Sequence, residues 1–104
     1  MSLRLPQTLS SSSSSSVEIF DAGLQGELLA EKAASLGRAG KRVETTLAAL
    51  RDAVAEDRPA ALKAAADAVW SLFVQREICG QRDHKPVIEI HGIPKEVLVR
   101  LGAR

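Results

Sequence analysis

Apolar side chains recur every seven residues through the middle of the chain, and this repeat limits the possible folds more than any other feature. Its two rows are Leu29, Leu36, Val43 and Leu50, and, at the i+4 offset, Ala33, Gly40, Leu47 and Val54. Such spacing is typical of one face of an α-helix. The phase does not slip at Gly37 or Gly40, as it would if a turn separated two helices. The repeat therefore predicts one long helix over roughly residues 17–55. The alternative is two helices broken near these glycines, since each costs about 1 kcal/mol against alanine.

The residues that follow the long helix predict that it ends and that a second helix begins. Asp57 is a suitable N-cap, and Pro59 suits the first turn of a new helix. This second helix is expected to end near Cys79, because Gly80 is a natural C-terminal stop. A connection this short makes the two helices antiparallel neighbours, that is, a helical hairpin.

The remaining residues predict two short C-terminal helices. Asp83 or His84 can cap a helix that enters at Pro86, and Pro94 can open a last helix that ends at Gly102. The β-branched stretch 87–90 could instead form a strand, but no second strand is evident to pair with it. The predicted fold class is therefore all-α.

A run of seven serines, Ser10–Ser16, lies near the start of the chain. Such a tract cannot bury enough apolar area to offset its conformational entropy. Ser15 and Glu18 then match the capping-box pattern. We expect residues 1–15 to be a disordered, Ser-rich tail and residues 16–104 to be a single helical domain.

Charge and composition argue against several classes of function. The chain has 14 basic and 13 acidic residues, and only one of them, Arg4, lies in the tail. Residues 17–104 therefore carry 13 charges of each sign and have no net charge. A neutral domain is a poor nucleic-acid or membrane binder, although Arg38, Lys41 and Arg42 could form a basic patch. The single cysteine excludes an internal disulfide and fits a cytoplasmic protein.

Small residues line one seam of the predicted long helix at alternating spacings of three and four. They are Gly23, Gly26, Ala30, Ala33, Gly37 and Gly40. Small side chains let two helix axes approach to about 8 Å. We expect a homodimer, joining two hairpins into a helical bundle. Its predicted interface combines the seam with the apolar residues Phe20, Leu24, Leu29 and Leu36.

Possible ligands of a metal or a small molecule cluster in the C-terminal part: Arg76, Cys79, Asp83, His84 and His91. Their spacing matches no standard zinc pair. A thiolate at Cys79 would face the negative end of a helix dipole, which disfavours a nucleophile there. His84 and His91 fall at predicted helix ends, and Arg76 falls at the end of an apolar stripe, where an acid such as Asp83 could pair with it. We expect structural roles for them, with no metal, cofactor or catalytic residue. Trp70 and Phe73 are expected in the core.

Three segments resemble a family of short, uncharacterised helical proteins from alphaproteobacteria, a domain of unknown function. The segments are residues 31–40 (EKAASLGRAG), 74–84 (VQREICGQRDH) and 92–98 (GIPKEVL). The resemblance covers most of residues 22–102. It implies a bacterial, cytoplasmic protein and carries over no activity, cofactor or site residue.

These observations favour a non-enzymatic, self-associating helical interaction or scaffold module. The alternative is a small-ligand or metal-binding protein that uses the Cys79–His91 segment, and an enzyme would have to use the same residues.

Deleting residues 1–14, so that the chain starts at Ser15, is expected to leave the thermal unfolding midpoint nearly unchanged. The physical reason is that the serine run has no apolar face to pack. Thermal unfolding followed by circular dichroism measures the midpoint. A fall of several degrees would contradict the prediction and would mean that the leucines of the tail dock on the core.

Overall fold

The computed structural model describes the backbone of residues 11–101 and the side chains of residues 23–101. Its elements are α1 (Ser11–Asp52), a 3₁₀ turn (Ala55–Asp57), α2 (Arg58–Ile78), α3 (Lys85–His91) and α4 (Lys95–Arg100). There is no strand within residues 11–101, so the all-α prediction is confirmed and the strand alternative at residues 87–90 is wrong. Within the same range, no helix has the length and apolarity needed to cross a membrane.

Helix α1 passes through Gly37 and Gly40 without a break, as the heptad phase predicts. It begins at Ser11, earlier than the expected residue 17, and ends at Asp52, before the expected residue 55. Residues 1–10 of the predicted tail lie outside the described residues. The division into a tail and a domain at residue 15 therefore stays a prediction.

The chain divides into two compact units, Met1–Glu31 and Lys32–Arg104. In the first unit every described side chain, from Gly23 to Glu31, is exposed. The hydrophobic core lies in the second unit. Leu29, which the heptad row placed on the buried face, is 66% exposed. The row becomes part of the core only from Leu36 onward.

Small and β-branched side chains make up much of the core. Its buried members are Val43, Leu47, Leu50, Ala65, Ala66, Ala68, Val69, Leu72, Val87, Ile93 and Val97. No aromatic ring is among them, and Phe73 packs against them only partly buried. The expectation that Trp70 lies in the core is wrong, because its side chain is 42% exposed. Every helix of the second unit contributes to this one cluster.

Two glycines end α2 and α3 in the same way. Gly80 and Gly92 adopt positive φ angles of 87° and 60°, in the region that favours glycine. After α2, the Gln81 N–H donates to the Arg76 carbonyl at 2.8 Å, and the Gly80 N–H donates to the Glu77 carbonyl at 3.0 Å. This paired arrangement is the Schellman motif, which satisfies carbonyls left without partners at a helix end.

The end of α3 repeats the Schellman arrangement. The Ile93 N–H donates to the Ile88 carbonyl at 3.0 Å, and the Gly92 N–H donates to the Glu89 carbonyl at 3.3 Å. Ile93 is 6% exposed, and Ile88 packs partly buried against the same cluster. The motif therefore turns the chain from α3 toward α4 while burying Ile93 in the core.

Helix α4 packs mainly against α2. Val97 of α4 is fully buried. Outside the core, the Arg58 guanidinium of α2 donates two hydrogen bonds to the Glu96 carboxylate of α4, at 2.9 and 2.6 Å. These bonds lower the pKa of Glu96 below its ordinary value. The favourable contribution of the pair is therefore present above the pKa of the unfolded-state carboxyl and is lost as the pH falls through the lower folded-state pKa.

Among the described residues, no close packing occurs at the glycines of the small-residue seam. A Cβ atom built on Gly23, Gly26, Gly37 or Gly40 would meet nothing within 4 Å. Within the described residues, these four glycines are therefore not points of close contact with another part of the chain. The core side chains Val43 and Leu47, rather than the glycines, face the rest of the second unit.

Replacing Val97 by alanine is expected to destabilise the protein by about 1–3 kcal/mol, because it removes fully buried methyl groups. The matched control is Val99→Ala, two positions along α4, where the side chain is 69% exposed. Its effect is expected to stay below about 0.5 kcal/mol. Urea unfolding of both variants measures the difference. Equal effects would contradict the docking of α4 through Val97.

Candidate functional site

Arg76, in the last turn of α2, holds the loop that leads into α3. Its Nη2 donates to the backbone carbonyl of Asp83 at 2.7 Å, and its Nε donates to Nδ1 of His84 at 3.2 Å. The loop starts at Gly80, whose left-handed backbone turns the chain out of α2. A single guanidinium therefore bridges the two ends of this turn.

His84 lies between three side chains. Its ring stacks on Phe73, with the centroids 4.1 Å apart and the planes 2° from parallel. Its Nδ1 accepts from Arg76, and its Nε2 lies 3.1 Å from a carboxylate oxygen of Glu77. Arginine can only donate, so Nδ1 must be the acceptor and Nε2 the nitrogen that carries the proton toward Glu77. Both ring nitrogens are thus engaged by the protein itself.

Asp83 has a role different from the expected one. The predicted partner of Arg76 was the Asp83 carboxylate, but Arg76 binds the Asp83 backbone carbonyl instead. The carboxylate accepts the backbone N–H of Lys85 at 3.1 Å, at the start of α3. Asp83 and His84 were the two predicted caps of α3. The side chain of Asp83, and not that of His84, accepts the first backbone N–H of this helix.

Cys79 and His91 are not part of the Arg76–His84 network. Cys79 is half-buried at the C-terminal end of α2, and its thiol is not in a disulfide. His91 is the last residue of α3, and its Nδ1 lies 3.7 Å from a carboxylate oxygen of Glu44 on α1. The contact is an ion pair only when His91 is protonated. Both histidines thus occupy helix ends, as the sequence indicates.

Among residues 23–101, no three histidine, cysteine or acidic side chains come together in a way that could hold a metal ion. The Arg76–His84 network engages both imidazole nitrogens of His84. Its geometry fixes the path of the loop between α2 and α3.

An open pocket of about 280 Å³ lies at the start of α2. Ala55, Arg58, Pro59, Leu62 and Arg100 line it. Arg58 already pairs with Glu96 through both of its terminal nitrogens. One of the two arginines that line the pocket is therefore already bound to a carboxylate of the same chain.

The predicted interface residues lie on α1, and most of those described are exposed. Gly23, Leu24, Gly26, Leu29, Ala30, Ala33 and Gly37 are exposed, Leu36 and Gly40 are half-buried, and the Phe20 side chain lies outside the described residues. Leu28, next to this set, is also 55% exposed. The first part of α1 therefore presents leucines to solvent.

A second exposed apolar row was not expected from the sequence. Trp70, Val74 and Ile78 follow one another at four-residue intervals on α2 and are 42%, 37% and 56% exposed. The buried residues Val69 and Leu72 lie on a different face of the same helix. The sequence signal that could have revealed this row is the four-residue interval, because residues i and i+4 lie on the same face of a helix.

Comparison with known proteins places the chain in a family. The sequence profile of a family of unknown function, DUF6665, matches residues 1–104, so the chain belongs to this family. No curated protein and no solved structure matches it significantly. The resemblance to a domain of unknown function is confirmed.

Replacing Arg76 by methionine is expected to cost about 1–2 kcal/mol, because the Asp83 carbonyl and His84 lose their donor. The amides of residues 81–85 should then exchange faster with solvent. The control is Arg82→Met, which removes an exposed arginine from the same loop. Hydrogen exchange read by mass spectrometry compares the two. Unchanged exchange in the Arg76 variant would contradict the role assigned to this residue.

Proposed function

We propose that this member of the DUF6665 family is a non-enzymatic helical interaction module that works by self-association, with a homodimer as its functional form. One observation carries the proposal. Leu24, Leu28 and Leu29, all in the first part of α1, are 47%, 55% and 66% exposed. Burying a leucine contributes about 1.5–3 kcal/mol, so a surface that covers all three would gain substantial free energy.

The surroundings of these leucines favour another helix as the cover. The small residues of the seam lie along the same helix, and a Cβ at Gly23 or Gly26 would meet nothing within 4 Å. A helix from a second chain could therefore approach to about 8 Å. A two-fold axis would set the same surface of each chain against the other.

We further propose that the later half of α1 and α2 form an antiparallel hairpin, and that two hairpins make a four-helix bundle. The hairpin is supported by the shared core, in which Val43 and Leu50 of α1 belong to one cluster with Val69 and Leu72 of α2. The short connection between Asp52 and Arg58 also favours antiparallel neighbours.

The candidate polar side chains contact other groups of the same chain, which favours a binding module over an enzyme. Arg76 and His84 hold the loop after α2 and contact each other, so their arrangement is that of a structural support. The unpaired thiol of Cys79 fits a reducing compartment. We accordingly propose a bacterial, cytoplasmic protein whose partner is a second copy of the chain, and which binds neither nucleic acid nor a membrane.

Light scattering behind a sizing column tests the dimer directly. The proposal predicts twice the chain mass of 11.1 kDa at tens of micromolar. Ala33→Leu should weaken the dimer by about 1–3 kcal/mol through overpacking at the seam. The matched control, Ala34→Leu, makes the same change at the next exposed position, outside the proposed interface. A wild-type mass near 11.1 kDa at this concentration would contradict the proposal.

A further inference from the structure

The exposed apolar row Trp70, Val74 and Ile78 on α2 shares its face of the helix with two charges of opposite sign. Lys63 precedes Trp70 by seven residues, and Glu77 follows it by seven. A step of seven residues returns to nearly the same face of a helix, with a drift of about 20°. The side chains of Lys63 and Glu77 are 67% and 52% exposed. All of this surface belongs to one helix, which lies within a single compact unit of the chain.

Both charges keep bonding capacity beyond their contacts within the chain. Lys63 donates to the Asp67 carboxylate at 2.9 Å, but an ammonium group has three donors. The Oε2 atom of Glu77 lies 3.1 Å from Nε2 of His84, and a carboxylate can accept about four hydrogen bonds. Because the two side chains are largely exposed, each can take a further partner while it keeps its present one.

This face of α2 is complementary to itself in one orientation. A two-fold axis at Trp70 runs two copies of the helix antiparallel and sets Lys63 of each copy opposite Glu77 of the other. Opposite charges then meet at both ends of the contact, whereas a parallel pair would set like charges together. Side chains of a helix lean toward its N-terminus, so each Trp70 would extend over Val74 of the other copy. The methylene stem of Lys63 would lie beside Ile78 of the other copy.

We propose that this face of α2 is a second self-association surface, which binds the same face of another copy in the antiparallel direction. The inference goes beyond the homodimer proposed above, since it uses no residue of α1 and does not depend on the contact there. Three partly exposed side chains bury less than the roughly 800 Å² per partner of a stable interface. We therefore expect a dissociation constant on the order of 1 mM. A chain with two different two-fold contacts can link its dimers into larger assemblies.

Trp70 is the only tryptophan of the chain, so its indole Nε1–H signal in a ¹H–¹⁵N NMR spectrum reports on this one position. The full-length wild-type protein is measured from tens of micromolar, where the α1 contact is proposed to be formed already, to a few millimolar. The indole signal should shift progressively over this range, together with the amide signals of Val74 and Ile78. An indole signal that does not move would overturn the proposal.

Charge reversal tests both the partner and the orientation. Lys63→Glu or Glu77→Lys alone sets like charges opposite each other at both ends, so each variant should lose the concentration-dependent shift. An equimolar mixture of the two variants restores opposite charges at both ends and should regain it. The matched control is Lys95→Glu, the same change at an exposed position of α4, which should behave like the wild type. A shift retained in either single variant, or not regained in the mixture, would overturn the antiparallel pairing.

Failure of this inference and failure of the proposed function give different results on the wild-type chain. A dimeric mass at tens of micromolar with a fixed indole signal would overturn the α2 contact and leave the homodimer. A monomeric mass at tens of micromolar, with an indole signal that shifts toward millimolar concentration, would overturn the homodimer and leave the α2 contact. A monomeric mass with a fixed indole signal would overturn both.

Discussion

The continuous backbone hydrogen bonding of α1 is the constraint on which the other features depend. It extends past Gly37 and Gly40, each of which costs about 1 kcal/mol relative to alanine, so contacts elsewhere on the helix must offset that cost. Val43, Leu47 and Leu50 supply such contacts in the second unit. The earlier part of the same helix keeps its leucines exposed. One helix thus combines a stretch that builds the core with a stretch whose described leucines are exposed.

Features set by local signals could be predicted from the sequence. The heptad row through Val43 and Leu50 identified one continuous helix, because a period of this kind depends only on residues close along the chain. Gly80 indicated the end of α2 for the same reason. A position with a left-handed backbone conformation favours glycine regardless of its surroundings. The start of α1 at Ser11 was not predicted, because serine has only modest helix propensity and the serine run has no period.

Features set by packing between distant residues were not predictable. Trp70 was expected in the core together with Phe73, but which face of α2 turns inward depends on where α1 and α4 lie. Arg76 was expected to pair with the Asp83 carboxylate, but the turn at Gly80 presents the Asp83 carbonyl to the guanidinium. Three of the five candidate residues, Arg76, Asp83 and His84, come together in the structure. Their engagement with one another, which gives them a structural role, required the three-dimensional arrangement.

Hydrogen exchange of the full chain at a high and a low micromolar concentration tests the central claim, which is that the first part of α1 is stabilised by a second copy. Local protection follows local contacts, so association should slow exchange only where it adds contacts. The account predicts that amides of residues 23–31 exchange more slowly at the high concentration. Amides of residues 65–72, in the core, should behave alike at both concentrations. Fast exchange in residues 23–31 at both concentrations would contradict it.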